Sequence, residues 1–156
     1  MKYTLIVKNR IPLSQNARSR RAVGGLFTLF EEYKRFLQGE FDLKYSKPLE
    51  ELLYGKIFYI HKSGDTRFLV RDADNISKPL WDALNKKAFD DDKQIRLRIA
   101  SKLESNVNDF QEINFENMDD KDFDELCLFL DATNADQQFI YIEIGKFEHN
   151  MVKLGE

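Results

Sequence analysis

The chain has 156 residues, 24 Lys and Arg against 27 Asp and Glu, a formal net charge of −3 and one cysteine. That length fits one domain with a sizeable core, and no run of 18 apolar residues is present to cross a membrane. The lone Cys127 excludes an internal disulfide and a cysteine-based zinc site, and His61 and His149 sit far apart in no ligand motif. The start, Met1 to Leu5, lacks a signal-peptide pattern, so a cytoplasmic chain is expected.

Charge is unevenly spread. Residues 1–100 carry 20 Lys and Arg against 13 Asp and Glu; residues 101–156 carry 4 against 14. The first part is therefore cationic, and such local surface is what attracts nucleic acid. The acidic remainder suits solubility, mimicry of DNA, or restraint of non-specific binding.

Residues 2–8 read as a strand. From Asn9 to Arg21 there are four arginines, Arg10, Arg18, Arg20 and Arg21, and no acid, a composition suited to backbone phosphates and equally to a solvated loop. Between Leu26 and Gln38, Leu26, Leu29, Phe30, Tyr33 and Leu37 recur at helical spacing, with Phe27 and Phe36 widening the stripe. The aromatics favour core packing over base stacking. The preceding Gly24-Gly25 lacks the frame of a phosphate loop. Phe41 to Glu51 reads as irregular or a short helix. Leu53 to Lys62 and Thr66 to Arg71 read as a hairpin turning at Ser63-Gly64-Asp65.

The stretch Arg71 to Gln94 carries the chemistry. Asp72 falls at a strand end. A helical pattern follows to Asn85, with Ile76, Leu80, Ala83 and Leu84 on one arc and Asp74, Lys78 and Asp82 in a row on the other. Asp74 or Asn75 suits an N-cap, and Pro79 argues that the helix begins nearer Lys78 or is loosened in its first turn. Asp90, Asp91 and Asp92 close the segment. Grouped carboxylates repel unless neutralised, and a hard cation such as Mg²⁺ takes oxygen ligands, with a lysine beside it as a point charge for phosphate. The same residues serve as solvated caps and turns, so two readings stand at this point. A calcium-loop reading fails, since Ile76, Ser77 and Ala83 occupy positions that need an oxygen ligand, a glycine and a glutamate.

Gln94 to Ile99 alternates strictly. Ile95, Leu97 and Ile99 are expected to face in, and Arg96 and Arg98 out, extending a phosphate-binding face or balancing the nearby acids. Residues 104–137 read as an acidic insertion holding a helix with Phe123, Leu126, Cys127 and Leu130 on its apolar face and Asp119 or Asp120 as cap. Phe139 to Phe147 reads as the last strand, and the final nine residues as a loose end.

Asp72-x-Asp74-Asn75-x-x-Lys78, then Asp82-Ala83-Leu84-Asn85, then Asp91-Asp92-x-Gln94-Ile95, resembles the core of the RusA family of Holliday junction resolvases, and Pro12-Leu13-Ser14-Gln15-Asn16 is similar to the family's early P-x-S-x-N segment. The likeness covers roughly the first hundred residues and extends toward the final strand. It implies a dimeric Mg²⁺-dependent endodeoxyribonuclease, with Mn²⁺ able to replace Mg²⁺, that cuts four-way DNA junctions by paired symmetric nicks. It implies Asp72, Asp74 and Asp92 as metal-binding catalytic acids, Asp91 as a further metal ligand and Lys78 as the essential lysine. Arg10, Asn16, Arg18, Arg20, Arg21, Arg71 and Lys78 are the expected DNA contacts. Asp82 is expected to orient Lys78 one turn earlier.

The expected fold is α+β, a mixed sheet of about five strands with two or three packed helices, in a single domain over residues 1–156 with the insertion at about 104–137. Two other functions remain: a junction-binding or assembly protein without catalysis, and a different metal-dependent phosphoesterase. A phosphatase of the haloacid dehalogenase type also carries Asp-x-Asp after a strand, but wants a threonine where Ile76 stands.

Overall fold

The computed structural model describes residues 1–10, 12–21, 24–25, 27–62, 72–105 and 113–155. Four strands and three α-helices alternate along them: β1 (Lys2–Lys8), α1 (Leu29–Lys44), β2 (Leu53–His61), α2 (Ala73–Leu84), β3 (Ile95–Glu104), α3 (Asp120–Leu130) and β4 (Gln138–Lys146). The α+β reading holds. The second arm of the expected hairpin, Thr66 to Arg71, lies outside the described residues, so the described sheet has four strands rather than about five.

The strand order is β1-β4-β2-β3. β4 runs antiparallel to both neighbours, and β2 and β3 are parallel, joined across the sheet by α2. The last strand in sequence is thus a central one, and its residues Gln138 to Gly145 are all buried. Alternation divides β4 between two cores. Ile140, Ile142 and Ile144 pack with Tyr3, Leu5, Val7, Leu37, Phe41, Ile57 and the apolar faces of α1 and α2. Phe139 and Tyr141 pack on the other face with Ile60, Leu126 and Phe129, beneath α3.

The helix ends differ from the expectation for local reasons. Thr28 and Glu31 form a reciprocal capping box, which starts α1 at Leu29. Phe41 continues the buried spacing of Tyr33 and Leu37, so the helix runs on to Lys44 rather than ending near Gln38. Helix α2 begins at Ala73 with Asp72 as N-cap, and Pro79 lies inside it. A proline inside a helix costs about 3 kcal/mol through the lost hydrogen bond and the clash with the preceding turn. Each fully buried apolar side chain contributes about 1.5–3 kcal/mol, and Ile76, Leu80, Trp81, Ala83 and Leu84 are all buried, so packing outweighs the proline. Helix α3 has Asp119 as N-cap, its side chain accepting from the Lys121 N–H at 3.0 Å. It presents Asp122, Leu126 and Phe129 to the sheet, a face rotated from the expected one. Phe123 is 40% exposed and instead meets Phe115 at 5.8 Å between ring centroids, while Cys127 is exposed.

Candidate active site

Gly55 decides how closely α2 approaches the sheet. A Cβ there would lie 2.5 Å from Cη2 of Trp81, so the indole occupies the space the glycine leaves. A glycine inside a strand signals such a close approach. Trp81 then floors an open cavity of about 560 Å³ between α2 and β3, the edge strand of the described sheet, with Asp74, Ser77 and Lys78 on the helix wall and Arg98, Ile99 and Ala100 on the strand wall.

The carboxylates fall into distinct groups. Asp72 caps α2 through its backbone, its carbonyl accepting from the Ile76 N–H at 3.2 Å, and its side chain makes no cap hydrogen bond. Asp74 lies in the first turn, exposed, where the helix dipole favours a negative charge. Asp91 is committed to structure. Its Oδ1 accepts from the Lys93 N–H at 2.9 Å, and Gln94 closes the box by accepting from the Asp90 and Asp91 N–H groups. The Lys93 N–H holds the Asp91 carboxyl below its ordinary value. The Gln94 amide donates to the carbonyls of Leu49 and Glu51, each at 3.1 Å, which pins the loop. Asp92 faces Arg98, with 3.7 Å between Oδ2 and Nη2, and its carbonyl accepts from the same nitrogen at 3.4 Å.

Lys78 is 55% exposed at the cavity rim. Its Nζ lies 3.5 Å from Oδ1 of Asp82, one turn on, as the spacing predicted. The other Asp82 oxygen accepts from Arg18 at 2.7 Å. Arg18 in turn bonds Gln15 at 3.3 Å and stacks on the Phe30 ring at 4.1 Å. Arg18, expected to contact DNA, is therefore engaged in holding Asp82 beneath Lys78.

The other expected DNA contacts divide. Arg10 covers the Phe36 ring at 3.8 Å, just as Arg35 covers Phe27, so arginines rather than bases lie on these aromatics. Asn16 and Arg20 are exposed, and the exposed Arg21 donates to the Gly25 carbonyl at 2.9 Å. Arg71 lies outside the described residues.

Among the described residues no three Asp, Glu, His or Cys side chains converge closely enough to hold a metal ion. Asp74 and Asp92 are linked through the cavity only by way of Arg98. The donor chemistry nevertheless fits a hard divalent cation. Mg²⁺ is usually held by one or two carboxylates, with waters and substrate phosphate completing its octahedron. Asp72 and Asp74 supply exposed carboxylates that local capping does not consume, whereas Asp91 is the least available.

Sequence reading missed three features of the site: the fit of Trp81 onto Gly55, the Arg18–Asp82 contact and the inward turn of Arg98. The structural role of Asp91 did carry a signal, because Asp91-x-x-Gln94 is a capping-box pattern.

A family model described as "Endodeoxyribonuclease RusA" matches residues 13–111, well over half of the chain. No curated protein matches. The matched region contains α1, β2, α2 and β3, and with them every residue lining the α2–β3 cavity.

Proposed function

The chain belongs to the RusA endodeoxyribonuclease family, and we propose that it is a Mg²⁺-dependent resolvase that cuts four-way DNA junctions by paired symmetric nicks. The observation that carries this reading is the placement of Asp74 and Lys78 one turn apart on the same cavity wall, an acid for the metal and a cation for phosphate. Asp72, Asp74 and Asp92 are the proposed metal-binding acids. These residues would hold a divalent cation, which would supply an activated water and charge stabilisation at the phosphoryl oxygens.

The chain's own side chains position the substrate. Lys78 neutralises one phosphate oxygen, and Asp82, steadied by Arg18, keeps its ammonium at the rim. A pre-oriented cation loses less on reaction than one that must be gathered from solvent. Arg20 and Arg21 add exposed cationic surface on the N-terminal segment, with Asn16 as a neutral hydrogen-bonding group, and backbone phosphates are their natural partners. A homodimer would set two such sites on opposite strands of a branched substrate.

The test is a synthetic four-way junction, labelled in turn on each strand, incubated with Mg²⁺, Mn²⁺ or EDTA beside a linear duplex of the same sequence. Symmetric nicks on opposed strands of the junction, present with either metal and absent with EDTA, are expected. Tight junction binding without cleavage would move the protein to the class of non-catalytic binding proteins. Hydrolysis of small phosphoesters without junction preference would favour a different phosphoesterase.

A further inference from the structure

Strand β3 loses step with its partner at one place. Leu53 of β2 pairs with Ile95, but Tyr54 pairs with Leu97 and Gly55 with Arg98, so Arg96 is an extra residue in the ladder. A one-residue slip sends every later side chain to the opposite face. Unbroken alternation would have set Leu97 opposite Gly55, under α2, and turned Arg98 toward the α3 layer. The bulge reverses this. Arg98 comes to the α2 side and lines the cavity, while Ile99 is left 39% exposed. The expectation that Ile95, Leu97 and Ile99 share one buried face is thereby corrected, since only Ile95 of the three is buried. Bulges next to functional sites re-aim side chains in this way.

The guanidinium so placed has no deep commitment. Its contact with the Asp92 carboxylate is long, and both side chains are substantially exposed, 40% and 53%. An exposed ion pair of this kind adds little stability. Arginine is the residue whose planar fork matches two phosphate oxygens at once.

We propose that Arg98 is a phosphate-engaging residue of the site, meeting the DNA phosphate across the cavity from Lys78, and that its contact with Asp92 is the resting position of the guanidinium. The inference rests on the nuclease reading above and adds a second cation to it, on the opposite wall. Release of Asp92 frees that carboxylate for the metal in the same movement that brings Arg98 to the phosphate. Arg96, the bulge residue itself, is exposed and does not line the cavity, and it takes no part.

The experiment measures junction binding in EDTA by fluorescence anisotropy over a series of salt concentrations, together with single-turnover cleavage in Mg²⁺. The proteins are wild type, Arg98→Gln, Arg98→Lys, Arg96→Gln, Asp92→Asn and the double variant Asp92→Asn with Arg98→Gln. Arg98→Gln is expected to lower affinity and to reduce the slope of log K against log salt by about 0.9, the release of one counterion. The same reduction is expected when Asp92→Asn is already present. Cleavage by Arg98→Gln falls on the order of 100-fold, Arg98→Lys recovers the salt slope, and Arg96→Gln matches wild type. An unchanged slope in Arg98→Gln overturns the inference. So does a slope change that disappears in the Asp92→Asn background, because Arg98 would then act only by neutralising Asp92. Failure of wild type to cleave the junction sinks the nuclease reading instead, and leaves the binding result to judge Arg98 on its own.

Discussion

The two faces of the sheet treat acidic side chains in opposite ways. On the α3 face Glu143 is 6% exposed and surrounded by partners from its own chain. Its oxygens accept from the hydroxyls of Tyr54 at 2.8 Å and Tyr141 at 2.7 Å, with Lys56 at 3.3 Å and Lys2 at 3.5 Å. Burial alone would push its carboxyl up, but the two tyrosine hydrogen bonds and the lysines prevail and hold it below the ordinary 4.5. Burial and the adjoining carboxylate push both tyrosines well up. On the α2 face Asp72, Asp74 and Asp92 are exposed, and Asp92 meets only the neighbouring Asp91 carboxyl and, at long range, Arg98 among the described residues. A satisfied carboxylate stabilises the fold. Carboxylates left open at a cavity rim can bind something from outside. Each face has a cavity, but the one beneath α3, about 290 Å³, is lined mainly by apolar side chains such as Phe58, Ile60, Leu103, Phe115 and Phe139.

The contrast can be broken first at Asp74. Asp74→Asn is expected to reduce metal-dependent junction cleavage by about 1000-fold or more, consistent with several kcal/mol of transition-state stabilisation, while leaving the thermal midpoint unchanged. A parallel loss of folding would place Asp74 with Glu143 as a structural acid. Next comes Gly55, which joins the two roles. Gly55→Val drives a side chain into Trp81, so a loss of about 3 kcal/mol in urea unfolding is expected, and cleavage falls with it because α2 is lifted from β3.

Glu143→Gln should do the reverse of Asp74→Asn. It keeps the shape and removes the charge, so stability drops by about 2 kcal/mol and cleavage at a temperature where the variant is folded stays at the wild-type rate. The pH dependence has a definite sign. A carboxyl depressed in the folded state contributes stability that is complete above the unfolded value and is lost as pH falls through the lower folded value. Wild type should therefore lose stability below about pH 4.5 more steeply than Glu143→Gln. The smallest effect belongs to Asp82→Asn. Acting through Lys78, it should lower the rate constant of cleavage by about tenfold, as expected of a residue that orients another, with junction affinity nearly retained.

Much of the α2 face was legible in the sequence because its signals are local. Asp74, Lys78 and Asp82 share a row by helical spacing alone, and the structure keeps that row on the outside of α2. The same spacing predicted the Lys78–Asp82 contact. What escaped depends on partners distant in sequence. Nothing near Arg96 announces the bulge, which is defined only by register against β2. The place of β4 between β1 and β2 cannot be read from its alternation, since a central strand and an edge strand both alternate. The family match ends at residue 111, yet without β4 beyond it β1 and β2 would have no shared neighbour. The buried face of α3 was misjudged because Phe123 is as apolar as Phe129, and only the position of Phe139 on the sheet decides which is covered.

The decisive measurement is the rate of Mg²⁺-dependent cleavage of a labelled four-way junction by wild type, Asp74→Asn and Glu143→Gln, each assayed the same number of degrees below its own thermal midpoint. Cleavage by wild type and Glu143→Gln at equal rates, with none by Asp74→Asn, is the predicted result. Equal rates for wild type and Asp74→Asn, or loss confined to Glu143→Gln, would contradict the assignment of the chemistry to the α2 face.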